Sequence, residues 1–354
     1  MSVDLEFCKA LPKIELHAHL GGSIRDSTIL ELARQKCKPE DVERIEKVVS
    51  CKLHEHKGEA IDQEIAQLEI VFAAFSPIHQ ATSNIDDICR ITTEVIDDFA
   101  ADGVVYLELR STPRVLAPAT AYDYCQKMID GINASEYVKR GEIDVKLLMS
   151  VNRKHSREEA MESVKVALAF PEYVVGVELG GDPKHHDWTH FEPVFQSARD
   201  AGLKIAIHCG EHAGVPHEIK GMIDFKPERL GHCIMLPHDE GLMEYLHQSK
   251  IPVEVCMTSN LITESVKSYS EHPVVHWVEN DHPISINTDD KLFFRSDASR
   301  EHLVFAQTCN RSKEDLFKLT EGAMEQTFLD EAGKQRLRDL VAKRRRELLT
   351  SGHG

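Results

Sequence analysis

The sequence predicts a parallel (β/α)8 barrel with a helical insertion after its first strand. Two patterns predict it. Eight short runs rich in β-branched residues and leucine alternate with segments of helical spacing, and histidines and carboxylates fall at the ends of several of those runs. A doubly wound open sheet would share the alternation, but it gives no reason for chemistry on so many strands.

The expected strands are residues 13–20, 104–111, 144–152, 174–180, 203–209, 229–234, 252–258 and 284–288. Each ends in polar or Gly/Pro-containing sequence. Helical spacing fills the intervals, as in residues 156–170, 190–201 and 239–249. Residues 24–100 are far longer than one crossover helix needs. They read as several helices that form a lid or pocket wall over the first strand. The chain from about residue 300 onward is helical and ends in a basic run, KRRREL. Cations near a helix C-terminus complement its dipole, so this run reads as a solvated end and not as a binding patch. No internal repeat beyond the βα unit appears, and residues 1–354 read as one domain.

Composition narrows the function classes. Hydrophobic residues make up 42% and charged residues 29%, as in soluble globular proteins. A formal net charge of -17 opposes nonspecific binding to nucleic acid or anionic membrane. Nine scattered cysteines with no Cys-x-x-Cys read as reduced thiols, and neither a signal peptide nor a spanning apolar stretch is evident. A cytoplasmic monomer acting on a small molecule is expected.

In a barrel, chemistry sits at the C-terminal ends of the strands. His17 and His19 are two apart on the first expected strand, so their imidazoles face the same side. His208 ends the fifth, His232 lies on the sixth, and Asp289 and Asp290 follow the eighth. Neutral imidazoles and a carboxylate are zinc ligands, and zinc lowers the pKa of bound water to about 7. His17, His19, His208 and Asp289 are the candidate ligands. Glu211, three residues past His208, is a candidate general acid, with His232 and Asp290 taking and steering the proton of water. Gly181 lets a backbone N–H approach a planar ligand.

Each residue also has a structural reading. A lone core histidine is more often a hydrogen-bonded packing group, and Asp-Asp pairs are common in turns. His54 and His56 form another His-x-His in a polar stretch, and His185, His186 and His190 read as a surface loop. Cys209 and Cys233 adjoin site histidines, but alternation turns them outward as packing residues. The order of the candidates along separate strands is what favours a joint site.

PKIELHAHLGGS, the stretch from His208 to Glu211, Gly231-His232 and SINTDD resemble the adenosine deaminase branch of the metal-dependent amidohydrolases, from about residue 11 to about 330. The resemblance implies one zinc held by His17, His19, His208 and Asp289. It implies Glu211 as proton donor to purine N1, His232 and Asp290 as partners of the attacking water, and Gly181 against the ring. Water would add at C6, and the amine would leave. The cytidine-deaminase signature with P-C-x-x-C is absent.

Gly21 stands where adenosine deaminases usually carry an Asp that holds the ribose 5′-hydroxyl. Its lack of charge removes repulsion toward a 5′-phosphate. The YLELRSTPR stretch offers Ser111, Thr112, Pro113 and Arg114, with Arg114 as a phosphate partner. This stretch and His79 resemble the adenosine deaminase-like subgroup that acts on N6-methyl-AMP. The subgroup often has Asn at the Gly21 position and Asp at the Asn152 position, and this chain departs at both. N6-methyl-AMP is the expected substrate, with His19, Gly21, His79, Ser111, Thr112, Pro113, Arg114, Asn152, Gly181 and Asp290 around it. Adenosine or deoxyadenosine is the alternative. Two rivals are a purine-binding barrel that keeps zinc for structure and an amidohydrolase that opens another ring or ester. ELGGDP lacks a lysine for a two-metal site.

Overall fold

The computed structural model describes residues 3–50, 75–182, 184–211, 216–236 and 239–350. Its eight strands are β1 (Lys13–His19), β2 (Val104–Ser111), β3 (Asp144–Asn152), β4 (Val174–Gly180), β5 (Lys204–Cys209), β6 (Arg229–His232), β7 (Val253–Val255) and β8 (Ile284–Ile286). They pair in parallel in sequence order. Asp289 closes the ring: its N–H donates to the His17 carbonyl at 2.8 Å and its carbonyl accepts from His19 N–H at 3.1 Å. The closing residue is thus itself a candidate ligand.

Helices pack outside. Their starts follow local chemistry: Thr120, Ser156 and Ser312 each form a capping box with an acidic residue three positions on. The expected helices at 156–170, 190–201 and 239–249 are found as Arg157–Ala169, Trp188–Asp200 and Glu240–Ser249. The insertion supplies helices Asp26–Lys36, Pro39–Val49 and Ile85–Ala101, and residues 75–81 are helical. His54 and His56 lie outside the described residues. No helix among the described residues is long and apolar enough to cross a membrane.

Two expectations change. β6 ends at His232 and β8 at Ile286, earlier than expected; at β6, His232 and Cys233 take left-handed backbone angles of +63° and +57° that end extended pairing. The seventh run does not continue to residue 258. After Val255 the chain turns at Cys256 into helix Met257–Ile262. A buried apolar run does not by itself distinguish a strand from a short buried helix. The basic run near the C-terminus lies at the surface, as expected, and two of its residues are paired there: within helix Glu331–Thr350, Arg344 pairs with Glu142, and Arg345 pairs with Glu314 and Glu321.

The barrel interior is unusual in chemistry. Barrel cores are commonly layers of Val, Ile and Leu. Here Glu108, Arg110, Glu178, Arg229 and Glu254 are fully buried. Arg229 donates through Nε to Glu254 at 2.6 Å and also bonds Glu108, and its guanidinium lies 3.6 Å from the Phe328 ring centroid. Phe328 N–H donates to Glu108 at 2.8 Å, so the segment before the last helix plugs the barrel floor.

Candidate active site and metal centre

The C-terminal rim brings the predicted residues together. His17 and His19 project from β1 on one face, His208 from the end of β5, and His232 from the end of β6. The His17 ring centroid lies 5.4 Å from that of His19, 4.6 Å from His208 and 4.9 Å from His232. Asp289 Oδ1 is 3.4 Å from His19 Nε2 and 3.7 Å from His17 Nε2. Ligand atoms of His17, His19 and His208 lie within 4.8 Å of one another, as do those of His17, His232, Cys256 and Asp289. Burial pushes the Cys256 thiol well above its ordinary pKa, with carboxylates led by Asp289 adding to the effect, so it stays protonated and a poor ligand.

The groups fit a metal cation. His17 Nδ1 donates to Glu254 at 2.6 Å, which turns its Nε2 into the site, where it is buried without a hydrogen-bond partner. A carboxylate behind a ligating imidazole is a common supporting arrangement. His208 Nδ1 donates to the Leu179 carbonyl at 2.9 Å, so its other nitrogen also faces the site. Burial pushes His17 well below the usual histidine pKa and His19 to about 4, which keeps both neutral and able to ligate. Burial pulls His208 down too, but the Glu178 carboxylate 3.1 Å away overrides this and raises it. Burial, then the charges of Asp289 and Glu211, pushes Asp290 well above the carboxylate range. Crowded carboxylates among neutral imidazoles are the charge pattern that a divalent cation relieves.

Glu211 follows β5, with Oε1 3.9 Å from His232 Nε2. The orientation of His232 is set by a chain of bonds. Val274 N–H donates to His272 Nδ1 at 3.0 Å, so the proton of neutral His272 is on Nε2, which donates to Asn260 Oδ1 at 3.2 Å. Asn260 Nδ2 then donates to His232 Nδ1 at 3.1 Å. Burial lowers the His232 pKa, so its single proton sits on Nε2, toward the site. Ser259 donates to Asp289 Oδ2 at 2.8 Å.

The remaining candidates surround this centre. Gly181 has φ +96°, where a side chain is strained, and a Cβ there would lie 3.0 Å from Asn152 Oδ1, so the Asn152 side chain would also have to give way. A Cβ on Gly21 would meet nothing within 4 Å. Ser111 Oγ bonds Tyr124 OH at 3.0 Å, and Ser111, Thr112, Pro113 and Arg114 are half-buried on the rim. His79 stays open to solvent. The protein around its ring, then the Arg114 and Lys154 cations, holds its pKa below the usual value. Arg114 does not present a free fork to a phosphate as expected, because three of its hydrogen bonds go to His79 and Thr82. His186 is exposed, as expected, but His190, on which it stacks at 4.1 Å, is half-buried in helix Trp188–Asp200 and not in a surface loop; Cys209 and Cys233 lie in the hydrophobic core, as expected of packing residues.

Sequence reasoning missed several contributors. Glu254 and Arg110 were detectable as charges inside apolar strand runs. Lys154 lies two residues past Asn152, and nothing local marked it. Ser259 and Asn260 gave no signal, since their role depends on the turn at Cys256. Gly22 is not singled out by its sequence context, but a Cβ there would lie 1.6 Å from Asp290 Oδ1.

An eight-stranded parallel barrel with four imidazoles and three carboxylates at its C-terminal rim defines a hydrolase-type centre suited to a metal ion. The adenosine deaminase family model matches residues 12–344. The N6-mAMP deaminase of Arabidopsis thaliana is 37% identical over 94% of this chain and 97% of its own length. The human N6-methyl-AMP deaminase is 35% identical over 94% of this chain and 93% of its own. A crystal structure of Arabidopsis ADAL complexed with IMP superposes with a TM-score of 0.85 at 37% identity, covering 96% of this chain and 98% of that one. The chain belongs to the adenosine deaminase family and is a purine aminohydrolase.

Proposed function

We propose that this enzyme removes the C6 amino substituent of a purine 5′-monophosphate, with N6-methyl-AMP as preferred substrate and IMP and methylamine as products. The observation that carries nucleotide over nucleoside is positive charge at the rim: Arg114 bonds the His79 carbonyl at 3.2 Å and contributes its charge there, although its fork is spent on the His79 segment. The uncharged Gly21, with open space around it, agrees with a phosphate there. The substrates in the relatives' names agree with both.

His17, His19, His208 and Asp289 would hold one zinc ion, which when bound supplies the Lewis acidity that brings the pKa of water toward 7. The other roles belong to the chain. His232 Nε2–H bonds the oxygen of the attacking water, and Asp290, whose pKa is raised, takes its proton. This sharpens the shared role expected of the two. Glu211 protonates purine N1, which makes C6 more electrophilic. The oxygen bonds C6, the C6–N bond breaks, and the amine leaves with a proton returned from the site. Gly181 and Asn152 line the ring, and His79, Ser111, Thr112 and Pro113 line the phosphate end.

The test offers N6-methyl-AMP and adenosine at equal concentration to zinc-loaded enzyme and follows ultraviolet absorbance. Rapid loss of N6-methyl-AMP with adenosine untouched is expected. Preference for adenosine would overturn the nucleotide reading and leave the deaminase chemistry in place.

A further inference from the structure

Residues 75–81 form a short helical stretch that carries His79, and Thr82 stands in the turn after it. Ile78 and Ala81 are buried beneath it, while His79 faces outward. Lys36 bonds the Ala81 carbonyl at 3.1 Å, a contact within the insertion itself. Two contacts reach across to the barrel rim. At the front, the Phe75 ring stacks at 3.9 Å on Phe293, three residues past Asp290. At the rear, Arg114 reaches from the end of β2: NH1 donates to the His79 carbonyl at 3.2 Å, and NH2 donates to the Thr82 carbonyl at 2.7 Å and to Thr82 Oγ1 at 3.1 Å. The last carbonyls of a helix lack intrahelical partners, and a cation there is favoured. The Arg114 guanidinium also lies 5.4 Å from the Tyr124 ring, whose hydroxyl bonds Ser111. A guanidinium has five N–H donors in a fixed fork, and three of its bonds hold this one segment.

We propose that Arg114 is a positioning residue: it anchors the C-terminal end of segment 75–82 to the β2 rim and so sets where the His79 imidazole stands over the substrate pocket. The proposal rests on the preceding reading for the assay substrate and for the place of His79 beside it, whereas the substrate-free exchange of the segment does not depend on that reading. A direct phosphate ligand would act independently of His79, whereas an anchor acts through it.

A double-mutant cycle separates the two. Arg114→Ala, His79→Ala and the double variant are compared by kcat/KM on N6-methyl-AMP, and hydrogen exchange of the segment is measured without substrate. Arg114→Lys is included, since one ammonium cannot reproduce the fork. Arg114→Ala is expected to lower kcat/KM about 10-fold alone and less than about 3-fold in the His79→Ala background. Amides of residues 78–84 should exchange at least about 10-fold faster in Arg114→Ala, with Arg114→Lys intermediate. Multiplying effects, or unchanged exchange in this segment, would overturn the assignment. If adenosine proves the better substrate, the same cycle on adenosine and the substrate-free exchange still decide it.

Discussion

Gly22 shows how one missing side chain can make room for a carboxylate at the site. Its carbonyl accepts from Leu292 N–H at 2.7 Å, which draws the turn after Asp290 against the end of β1. The Asp290 carboxylate occupies the space a Cβ would take, 1.6 Å from Oδ1. Gly22→Ala therefore has to displace Asp290. We expect kcat/KM to fall at least about 100-fold, since misplacement by an ångström is enough for that, while circular dichroism and zinc content stay near those of the parent. A variant within a few-fold of parent activity would show that Asp290 has no fixed place in the reaction. Gly21, one residue earlier, has open space, so the two glycines of the HLGGS stretch do different work.

At the scale of elements, β7 and the helix after it do most to support the site without supplying a ligand. Glu254 on β7 accepts from His17, from Arg110 at 2.9 Å and from Arg229. Burial alone would raise its pKa, but Arg110, Arg229 and His17 hold it well below the carboxylate range. It is thus a fixed anion that orients His17. Glu254→Gln keeps the shape and removes the charge. Zinc affinity, read by competition with a chelator, should fall about 10- to 100-fold. Unchanged affinity would reduce Glu254 to a partner of the two arginines. The helix Met257–Ile262 adds Ser259 and Asn260, which fix Asp289 and His232. An extended continuation of β7 would alternate these side chains between the two faces and lose one of the contacts.

At the scale of the molecule, the barrel is a shell of apolar packing around a charged axis. Buried ion pairs contribute little net stability, but losing one partner is costly. The Glu108–Arg229–Glu254–Arg110 series therefore reads as a specificity device that sets the strand register beneath the site. Acid sensitivity comes partly from buried histidines. His302, 3% exposed, has its pKa lowered to about 3 by burial and then by Lys13. Its folded value lies below the unfolded one, so its contribution to stability is present above about pH 6.5 and is lost as pH falls toward 3. Between pH 7 and pH 5 the loss from this group is about 2 kcal/mol. His302→Gln should show a correspondingly smaller drop in urea-unfolding free energy over that interval. An equal drop in both proteins would show that the ring is not held neutral.

The sequence by itself determined the barrel, because strand and helix periodicities are local and repeat eight times. It also determined the ligand and proton-transfer candidates, because His-x-His on one strand and His or Asp at later strand ends face one rim wherever the strands close in order. The tertiary structure decided what depends on contact between distant segments. Only the fold shows that Glu254 stands behind His17, that a Val274 amide sets the His232 proton through His272 and Asn260, and that Arg114 spends its fork on the His79 segment. These contacts join residues with no regular spacing, and their energies come from burial and hydrogen-bond geometry. Neither exists until the chain has closed.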